Sequence, residues 1–194
     1  MSTLELFAAV VGAISVYLSA KQNIWSWPTA IVNVLLSAVI YYEQRLYGDM
    51  GLQVVYAVLS IYGWYEWLYG GEGRTELHVT KTGLRLGATL TIIAVIGSVI
   101  IGLFLHRATN AALPFLDGSL TSTSLVAQWM MTRKLLENWL VWILVDVVYV
   151  PMLAYKSLYW FSVLYAVFLV LAVKGWLDWR RSMRADVATR AIAA

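Results

Sequence analysis

The sequence predicts an all-α integral membrane protein with seven transmembrane helices. The composition is 61% hydrophobic and only 13% charged, whereas soluble domains are typically about one quarter charged, and the mean hydropathy is +0.71. The apolar residues also fall into runs near the roughly 20 residues that a helix needs to cross a bilayer. Because 194 residues leave room for little else, we predict a single membrane domain, 1–194.

The seven predicted spans follow these hydrophobic runs in chain order. The first contains Glu5 and has no leading basic region, so we expect it to remain as a helix and not to be cleaved as a signal peptide. The fifth is the weakest, because Asp117, Gly118 and the hydroxyl-rich segment 119–124 dilute it, and Pro114 lies near its start. The spans are Leu4 to Ala20, Ile24 to Tyr42, Met50 to Tyr69, Leu86 to Leu105, Ala111 to Met131, Leu135 to Tyr155 and Leu158 to Leu177.

The basic residues predict the orientation of these spans, because lysine and arginine gather in cytoplasmic connections. Ten lie in alternate connections and in the basic tail 180–194, against three in the other connections. The N-terminus is therefore predicted outside and the C-terminus in the cytoplasm. The net charge of +3 reflects this topology and does not indicate nucleic-acid binding. The ten are Lys21, Arg74, Lys81, Arg85, Arg133, Lys134, Arg180, Arg181, Arg184 and Arg190; the three are Arg45, Arg107 and Lys156.

Metal and cofactor chemistry has little support in the composition. The chain contains no cysteine, so it has no disulfides and no thiolate metal ligands. His78 and His106 both fall in predicted loops without neighbouring ligand residues. We expect no metal site and no cofactor.

A segment near the end of the third span recurs near the end of the seventh. Gly-Trp-Tyr-Glu-Trp at 63–67 matches Gly-Trp-Leu-Asp-Trp at 175–179, and we call the shift that takes position 63 to position 175 the repeat offset. Spans one to three therefore resemble spans five to seven, and the intervening span makes the two halves run in the same direction. Other matches, at this offset or within a few positions of it, are Trp27 with Trp139, Asn33 with Asp146, and the Tyr-Ala-Val segments at 56–58 and 165–167.

This repeat predicts a three-plus-one-plus-three arrangement with parallel repeats. Repeat one covers about 4–70, the linker helix about 84–105 and repeat two about 109–179. A substrate site is expected at the interface of the repeats. The recurring tryptophans Trp64, Trp67, Trp176 and Trp179 are predicted to form an aromatic belt at the inner interface, with Glu66 and Asp178 at headgroup level near Arg180 and Arg181.

The sixth span places two tryptophans and an acid on one apolar helix. Trp139, Trp142 and Asp146 lie at i, i+3 and i+7, and Asn138 and Tyr149 share an adjoining stripe with Trp142. A carboxylate near mid-membrane costs on the order of 3 kcal/mol, so it needs a partner or a wet cavity.

Binding and structural roles both fit these residues. Indole faces attract a ligand cation by about 2 kcal/mol when water is excluded, and a carboxylate neutralises its charge, so together they suit a flat cationic ring. A structural alternative pairs Asp146 with Lys156 or has it cap a kink at Pro151. Asn33 fits a hydrogen bond between helices as well as it fits a binding site.

These residues carry a resemblance to the Pnu family of bacterial vitamin transporters, over roughly 23–179. The motif is Glu137-Asn138-Trp139-x-x-Trp142-x-x-x-Asp146, then Tyr155-Lys156, Leu164-Tyr165 and the Gly-Trp ending, with Trp25-Ser26-Trp27-Pro28 and Asn33 in the first half.

The resemblance implies a fold like that of the SWEET sugar carriers in the bacterial inner membrane. It implies facilitated diffusion of nicotinamide riboside, or alternatively of thiamine or less plausibly riboflavin, followed by trapping through a separate cytoplasmic vitamin kinase. Carried over, the family's motif places substrate contacts at Trp139, Trp142, Asn138 and Asp146, with Tyr149 as a further candidate. The repeat gives this stretch a partner in Trp27 and Asn33, which are predicted to line the other half of the site. In the resulting hypothesis the pyridinium lies between Trp139 and Trp142 near Asp146, and the ribose hydroxyls meet Asn33, Gln53 or Asn138.

Two other classes of function remain as alternatives. An intramembrane enzyme would use Asp146 and Glu137 as acid and base, but they lie nine residues apart on one helix, about 13 Å of rise, which is too far for joint action at one bond. A non-catalytic membrane subunit has faint support from the small residues at 9 and 13 and at 83 and 87. We therefore predict a transporter and not an enzyme; its oligomeric state stays open, with a homo-oligomer as one option.

Overall fold

The computed structural model describes residues 3–43, 47–109, 113–155 and 157–193, and within these ranges the chain forms seven α-helices. A short 3₁₀ turn, Glu72–Arg74, follows the third helix. The helices are α1 Thr3–Ala20, α2 Ser26–Glu43, α3 Tyr47–Tyr69, α4 Leu84–Ala108, α5 Pro114–Thr132, α6 Asn138–Tyr155 and α7 Tyr159–Ala193.

Each predicted span coincides with one helix, and the differences lie at the ends. α5 begins at Pro114, because proline suits the first turn of a helix, whereas the predicted start at Ala111 lies outside the described residues. α4 continues past Leu105, so His106 belongs to its last turn and not to a loop. α7 runs well beyond the hydrophobic segment to Ala193.

Hydropathy alone identifies only some of these helices as membrane spans. Among the described residues, four are long and apolar enough to cross a membrane: α1, α4, α6 and the Tyr159–Asp186 part of α7. The other three carry polar side chains that face an internal cavity, including Asn33 on α2, Gln53 on α3 and Gln128 on α5.

The helices pack as two groups of three with α4 outside them. In the first helix group α2 packs between α1 and α3, and in the second helix group α6 packs between α5 and α7. The groups meet where α1 contacts α7 and where α3 contacts α5. α4 lies along α5, where Gly118 faces Gly102 so closely that a Cβ on Gly118 would lie 2.5 Å from the Gly102 nitrogen.

Four tryptophans form a continuous cluster at one end of the bundle, and we call them the tryptophan quartet. The ring centroids of Trp27 and Trp67 are 5.2 Å apart, and those of Trp139 and Trp179 are 5.4 Å apart. Trp67 and Trp179 join the two pairs at 5.8 Å. All three contacts are edge-to-face, which is a favoured geometry for aromatic pairs.

Two hydrogen bonds from the quartet cross between the helix groups. Trp67 Nε1 donates to the carbonyl oxygen of Met131 at 3.0 Å, and Trp179 Nε1 donates to that of Ser19 at 3.0 Å. The repeat offset relates the two donors to each other and likewise the two acceptors, so the bonds are equivalent in the sequence repeat.

The aromatic-belt prediction is therefore wrong for two of its four tryptophans. Trp67 is 2% exposed and Trp179 is 0% exposed, and both satisfy their indole N–H inside the protein. Trp64 is 38% exposed, and Trp176 is partly buried against the same core cluster.

Two ion pairs also cross between the helix groups at this end. Arg133 Nη1 lies 2.8 Å from Glu66 Oε2, and Lys21 Nζ lies 3.2 Å from Asp178 Oδ2. The repeat offset takes Lys21 to Arg133 and Glu66 to Asp178, so the two ion pairs also correspond in the sequence repeat. The hydrogen bond to Asp178 raises the pKa of Lys21 above its usual value. Glu66 and Asp178 therefore pair with basic residues of the opposite helix group. From the sequence they are expected near Arg180 and Arg181, and these pairs are not predicted.

The segment between α3 and α4, residues 70–83, crosses the same end and is called the linker strap. Thr80 N donates to Lys134 O at 3.1 Å, and Leu136 N donates to Thr80 O at 2.8 Å. Thr82 N donates to the Glu137 carboxylate at 2.7 Å, so Glu137 fastens the strap to the start of α6. Burial lowers the pKa of Lys134, whose Nζ lies 4.5 Å from the Trp67 ring centre.

Replacing Gly63 or Gly175 with alanine should destabilise the fold. A Cβ at Gly63 would overlap the ring of Trp27, and one at Gly175 would lie 2.5 Å from the ring of Trp139. Because these indoles are buried, overpacking should cost about 1–3 kcal/mol. Gly51→Ala is the control, since no described atom lies within 4 Å of its Cβ position and alanine favours a helix over glycine by about 1 kcal/mol. Thermal unfolding in detergent should show lower midpoints for the first two variants only, and an unchanged midpoint for both would contradict this packing.

Candidate functional site

A cavity of about 370 Å³ lies between the two helix groups. Its described lining comes from α1, α2 and α3 on one side and from α5, α6 and α7 on the other. This volume lies within the roughly 300–1,000 Å³ of small-molecule sites in proteins. The cavity is thus at the interface of the two halves, where the sequence repeat places a site.

The cavity has a closed end and an end that reaches the surface. Trp27 and Trp139 of the quartet line the closed end, where they are 2% and 1% exposed. At the opposite end the lining includes Tyr41, near the end of α2, and Asp49, in the first turn of α3. Asp49 is exposed, so the cavity meets solvent or headgroups on that side.

The α6 wall carries the charge of the cavity interior. Trp142, Asp146 and Tyr149 all line it from successive turns of α6. Asp146 is 3% exposed and has no hydrogen-bond or ion-pair partner among the described residues. The predicted partner Lys156 lies outside them. A buried carboxylate without a protein partner is costly, which makes a ligand cation its natural counter-charge.

Away from Asp49 at the open end, the opposite wall, from the first helix group, is neutral and polar. Asn33 and Gln53 line it with amides, and Ser15 and Ser60 add hydroxyls. Asn33 lies against Gly12 of α1, whose missing side chain leaves space for the amide. In the interior this wall offers donors and acceptors for hydroxyl groups, and its acid, Asp49, lies at the open end of the cavity.

Seven of the eight predicted site residues line the cavity: Trp27, Asn33, Gln53, Trp139, Trp142, Asp146 and Tyr149. Asn138 is not among the described lining residues. It is the first residue of α6, is 0% exposed, and its Nδ2 donates to the Leu135 carbonyl oxygen at 2.6 Å. Its Oδ1 is buried without a hydrogen-bond partner among the described residues, and its contact with substrate stays a prediction.

Trp139 is enclosed more tightly than Trp142. Its ring lies against Gly175, makes an edge contact with Trp179 and is 1% exposed. Trp142 is only partly buried and therefore offers more ring surface to the cavity.

Several lining residues were not predicted from the sequence. Tyr165 stacks on Tyr149 with ring centroids 4.6 Å apart, and the matched Tyr-Ala-Val segments that contain Tyr56 and Tyr165 were the available signal. Small hydroxyls within a span carry no such signal. The additional polar and aromatic lining residues include Ser15, Tyr41, Asp49, Tyr56, Gln128 and Tyr165.

Comparison with known proteins identifies relatives over nearly the whole chain. The family model described as "Nicotinamide mononucleotide transporter" matches residues 2–181. The nicotinamide riboside transporter PnuC of Escherichia coli K12 is 28% identical over 209 residues, covering 95% of this chain and 87% of its own. The riboflavin/roseoflavin transporter RibM of Streptomyces davaonensis is 28% identical over 187 residues, covering 94% and 86%. A crystal structure of the vitamin B3 transporter PnuC superposes with a TM-score of 0.74 at 27% identity, covering 94% of this chain and 82% of that one.

Proposed function

The chain belongs to the nicotinamide mononucleotide transporter family, and we propose that it carries nicotinamide riboside into the cell. It is a PnuC-type vitamin transporter of the bacterial inner membrane. Relatives named for nicotinamide riboside and for riboflavin are equally similar to it at 28% identity, so the substrate has to be argued from the cavity.

Asp146 is the observation that carries this choice. Its carboxylate is buried in the cavity wall and has no charge partner among the described residues. A cationic ring can stack on the Trp142 ring face and is also attracted by the Asp146 carboxylate. The neutral ring of riboflavin can only stack. The site therefore favours nicotinamide riboside or thiamine over riboflavin.

The wall of the first helix group favours the riboside over thiamine. Asn33 and Gln53 face the side of the cavity opposite Asp146, and a ribose presents several hydroxyls to such groups where thiamine presents one. In the proposed pose the pyridinium rests on Trp142 beside Asp146 and the ribose reaches the amides. Trp139 and Trp27 form the floor beneath the substrate.

We also propose a SWEET-like arrangement of three, one and three helices with parallel repeats. The ion pairs and indole hydrogen bonds that the repeat offset relates support it, as does the matching set of helix contacts. The N-terminus lies outside and the C-terminus in the cytoplasm, which the ten-to-three distribution of basic residues favours. The linker strap and the quartet then face the cytoplasm.

Transport in this proposal is facilitated diffusion, and a cytoplasmic vitamin kinase traps the product. The test is uptake by liposomes that contain only the purified protein. Labelled nicotinamide riboside should equilibrate without nucleotide or an ion gradient, and enclosing a riboside kinase with ATP should convert equilibration into accumulation. Thiamine should enter more slowly and riboflavin least. Recovery of chemically unchanged riboside would exclude an enzyme, and flux without other proteins would exclude a mere membrane subunit.

Two results would overturn this assignment. Faster uptake of riboflavin than of either cation would contradict the role given to Asp146. Uptake that requires an imposed ion gradient would contradict facilitated diffusion while leaving the substrate assignment intact.

A further inference from the structure

The cavity is blocked on the side that faces the linker strap. The four rings of the tryptophan quartet lie directly across that end, and each is no more than 2% exposed. Val79 of the strap belongs to the same buried cluster and covers it from outside. A substrate in the cavity cannot leave on this side unless the rings separate.

Polar contacts between the helix groups surround this plug, among them a hydrogen bond from Arg133 Nη1 to the Tyr62 hydroxyl at 3.1 Å. Four of these contacts form two pairs that the repeat offset relates. They are the ion pairs Arg133–Glu66 and Lys21–Asp178 and the hydrogen bonds Trp67–Met131 and Trp179–Ser19. Each joins the first helix group to the second at the end of the bundle that holds the quartet, and the repeat offset relates each to an equivalent contact. The central contact of the plug, Trp67 with Trp179, crosses the same boundary.

We propose that these two ion pairs and two indole hydrogen bonds form the inner gate of the transporter. The gate is closed in this structure, and it opens when the helix groups part between Trp67 and Trp179 to release substrate toward the strap side. This inference rests on the proposed transport function. It identifies the contacts that are made when the inner side is closed and broken when it is open.

The composition of the gate suits a contact that has to break repeatedly. The side chains of Arg133 and Lys21 are 39% and 45% exposed, whereas those of Glu66 and Asp178 are 12% and 22% exposed, so each basic group can turn to water when its ion pair opens. The indole donors are buried only while the gate is closed, and opening gives their N–H groups access to water. Packed interfaces of this kind switch between two arrangements and do not deform gradually.

A single introduced thiol can report on this gate, because the chain contains no cysteine. Ser60→Cys places the thiol on the cavity wall, where Ser60 is 1% exposed. A membrane-impermeant maleimide is applied to inside-out vesicles, which expose the proposed cytoplasmic face. Adding Arg133→Ala should raise the labelling rate about fivefold, and adding Lys21→Ala as well should raise it about twentyfold.

Two matched variants control for charge loss and for misfolding. Arg85→Ala removes one exposed positive charge at the start of α4, outside the gate, and should leave the labelling rate unchanged. Arg133→Glu with Glu66→Arg restores the ion pair in reverse and should return labelling to the starting rate. Labelling that is unchanged in the Arg133→Ala and Lys21→Ala variants, or that rises only from the outer face, would overturn the gate.

A cross-link tests the same contact without weakening it. Cysteines placed by Arg133→Cys and Glu66→Cys are joined by a short, reducible bifunctional thiol reagent. Uptake of nicotinamide riboside into proteoliposomes should fall more than about tenfold on cross-linking and recover on reduction. Unimpaired uptake by the cross-linked protein would refute the gate, whereas a wild-type protein that transports no vitamin would refute the proposed function instead.

Discussion

Replacing Asp146 with asparagine should lower the affinity for nicotinamide riboside by about ten- to hundredfold. The substitution keeps the shape of the side chain but removes the counter-charge for the pyridinium, and a charge-assisted contact is worth about 1.5–3 kcal/mol. Thiamine uptake should fall similarly, whereas any uptake of neutral riboflavin should not fall. Binding titrations with the purified protein and initial rates in liposomes measure both effects.

The same substitution should not destabilise the protein without its substrate. Asp146 is 3% exposed and has no partner among the described residues, and removing such a charge relieves the cost of burying it. The unfolding midpoint of the free protein should stay equal or rise, while the shift on adding the riboside shrinks. Glu72→Gln, in the exposed turn after α3, is the control. Undiminished riboside binding by Asp146→Asn would remove the basis for a cationic substrate.

Replacing Trp142 with alanine should reduce riboside uptake by about tenfold or more. The change removes the ring face offered to the pyridinium, which is worth about 2 kcal/mol in a site without water. Trp142→Phe keeps a ring face and should retain more activity than Trp142→Ala. Initial rates at matched protein levels measure the series.

The control for this series is Trp160→Ala. Trp160 is 74% exposed on α7 and is not among the residues that line the cavity, so its loss should leave uptake close to that of the unmodified protein. Equal uptake by the alanine and phenylalanine variants of Trp142 would show that the ring face does not bind substrate.

The seven helices could be predicted from sequence because a bilayer span requires a long apolar run, and that requirement is local. The end of α7 could not, because its polar extension to Ala193 has the composition of a solvated tail. Asp49 was missed for a related reason. The third run begins at Met50, so the acid is assigned to a connection, whereas the helix starts at Tyr47 and turns it toward the cavity.

The roles of the tryptophans show where local reasoning ends. An aromatic belt and a buried plug both place amphipathic rings at one end of the helix bundle. What separates Trp67 from a belt residue is the Met131 carbonyl oxygen, 64 positions away in the chain. The repeat reveals that Trp67 and Trp179 correspond, but it does not reveal that they touch. Asn138 is the converse, because its neighbours in the motif line the cavity while its own amide nitrogen bonds to the Leu135 carbonyl oxygen at the helix start.

The two walls of the cavity differ, and this difference restricts the orientation in which a substrate can pass through it. If both halves were identical, the twofold relation would let an elongated ligand bind equally well when turned end for end, and the protein would have to release two populations of reversed molecules. Here the repeat offset takes Ser60 on one wall to Ala172 on the other, and Asp146 belongs to one wall only. The substrate should therefore bind in one orientation, so every molecule should leave the cavity with the same end first.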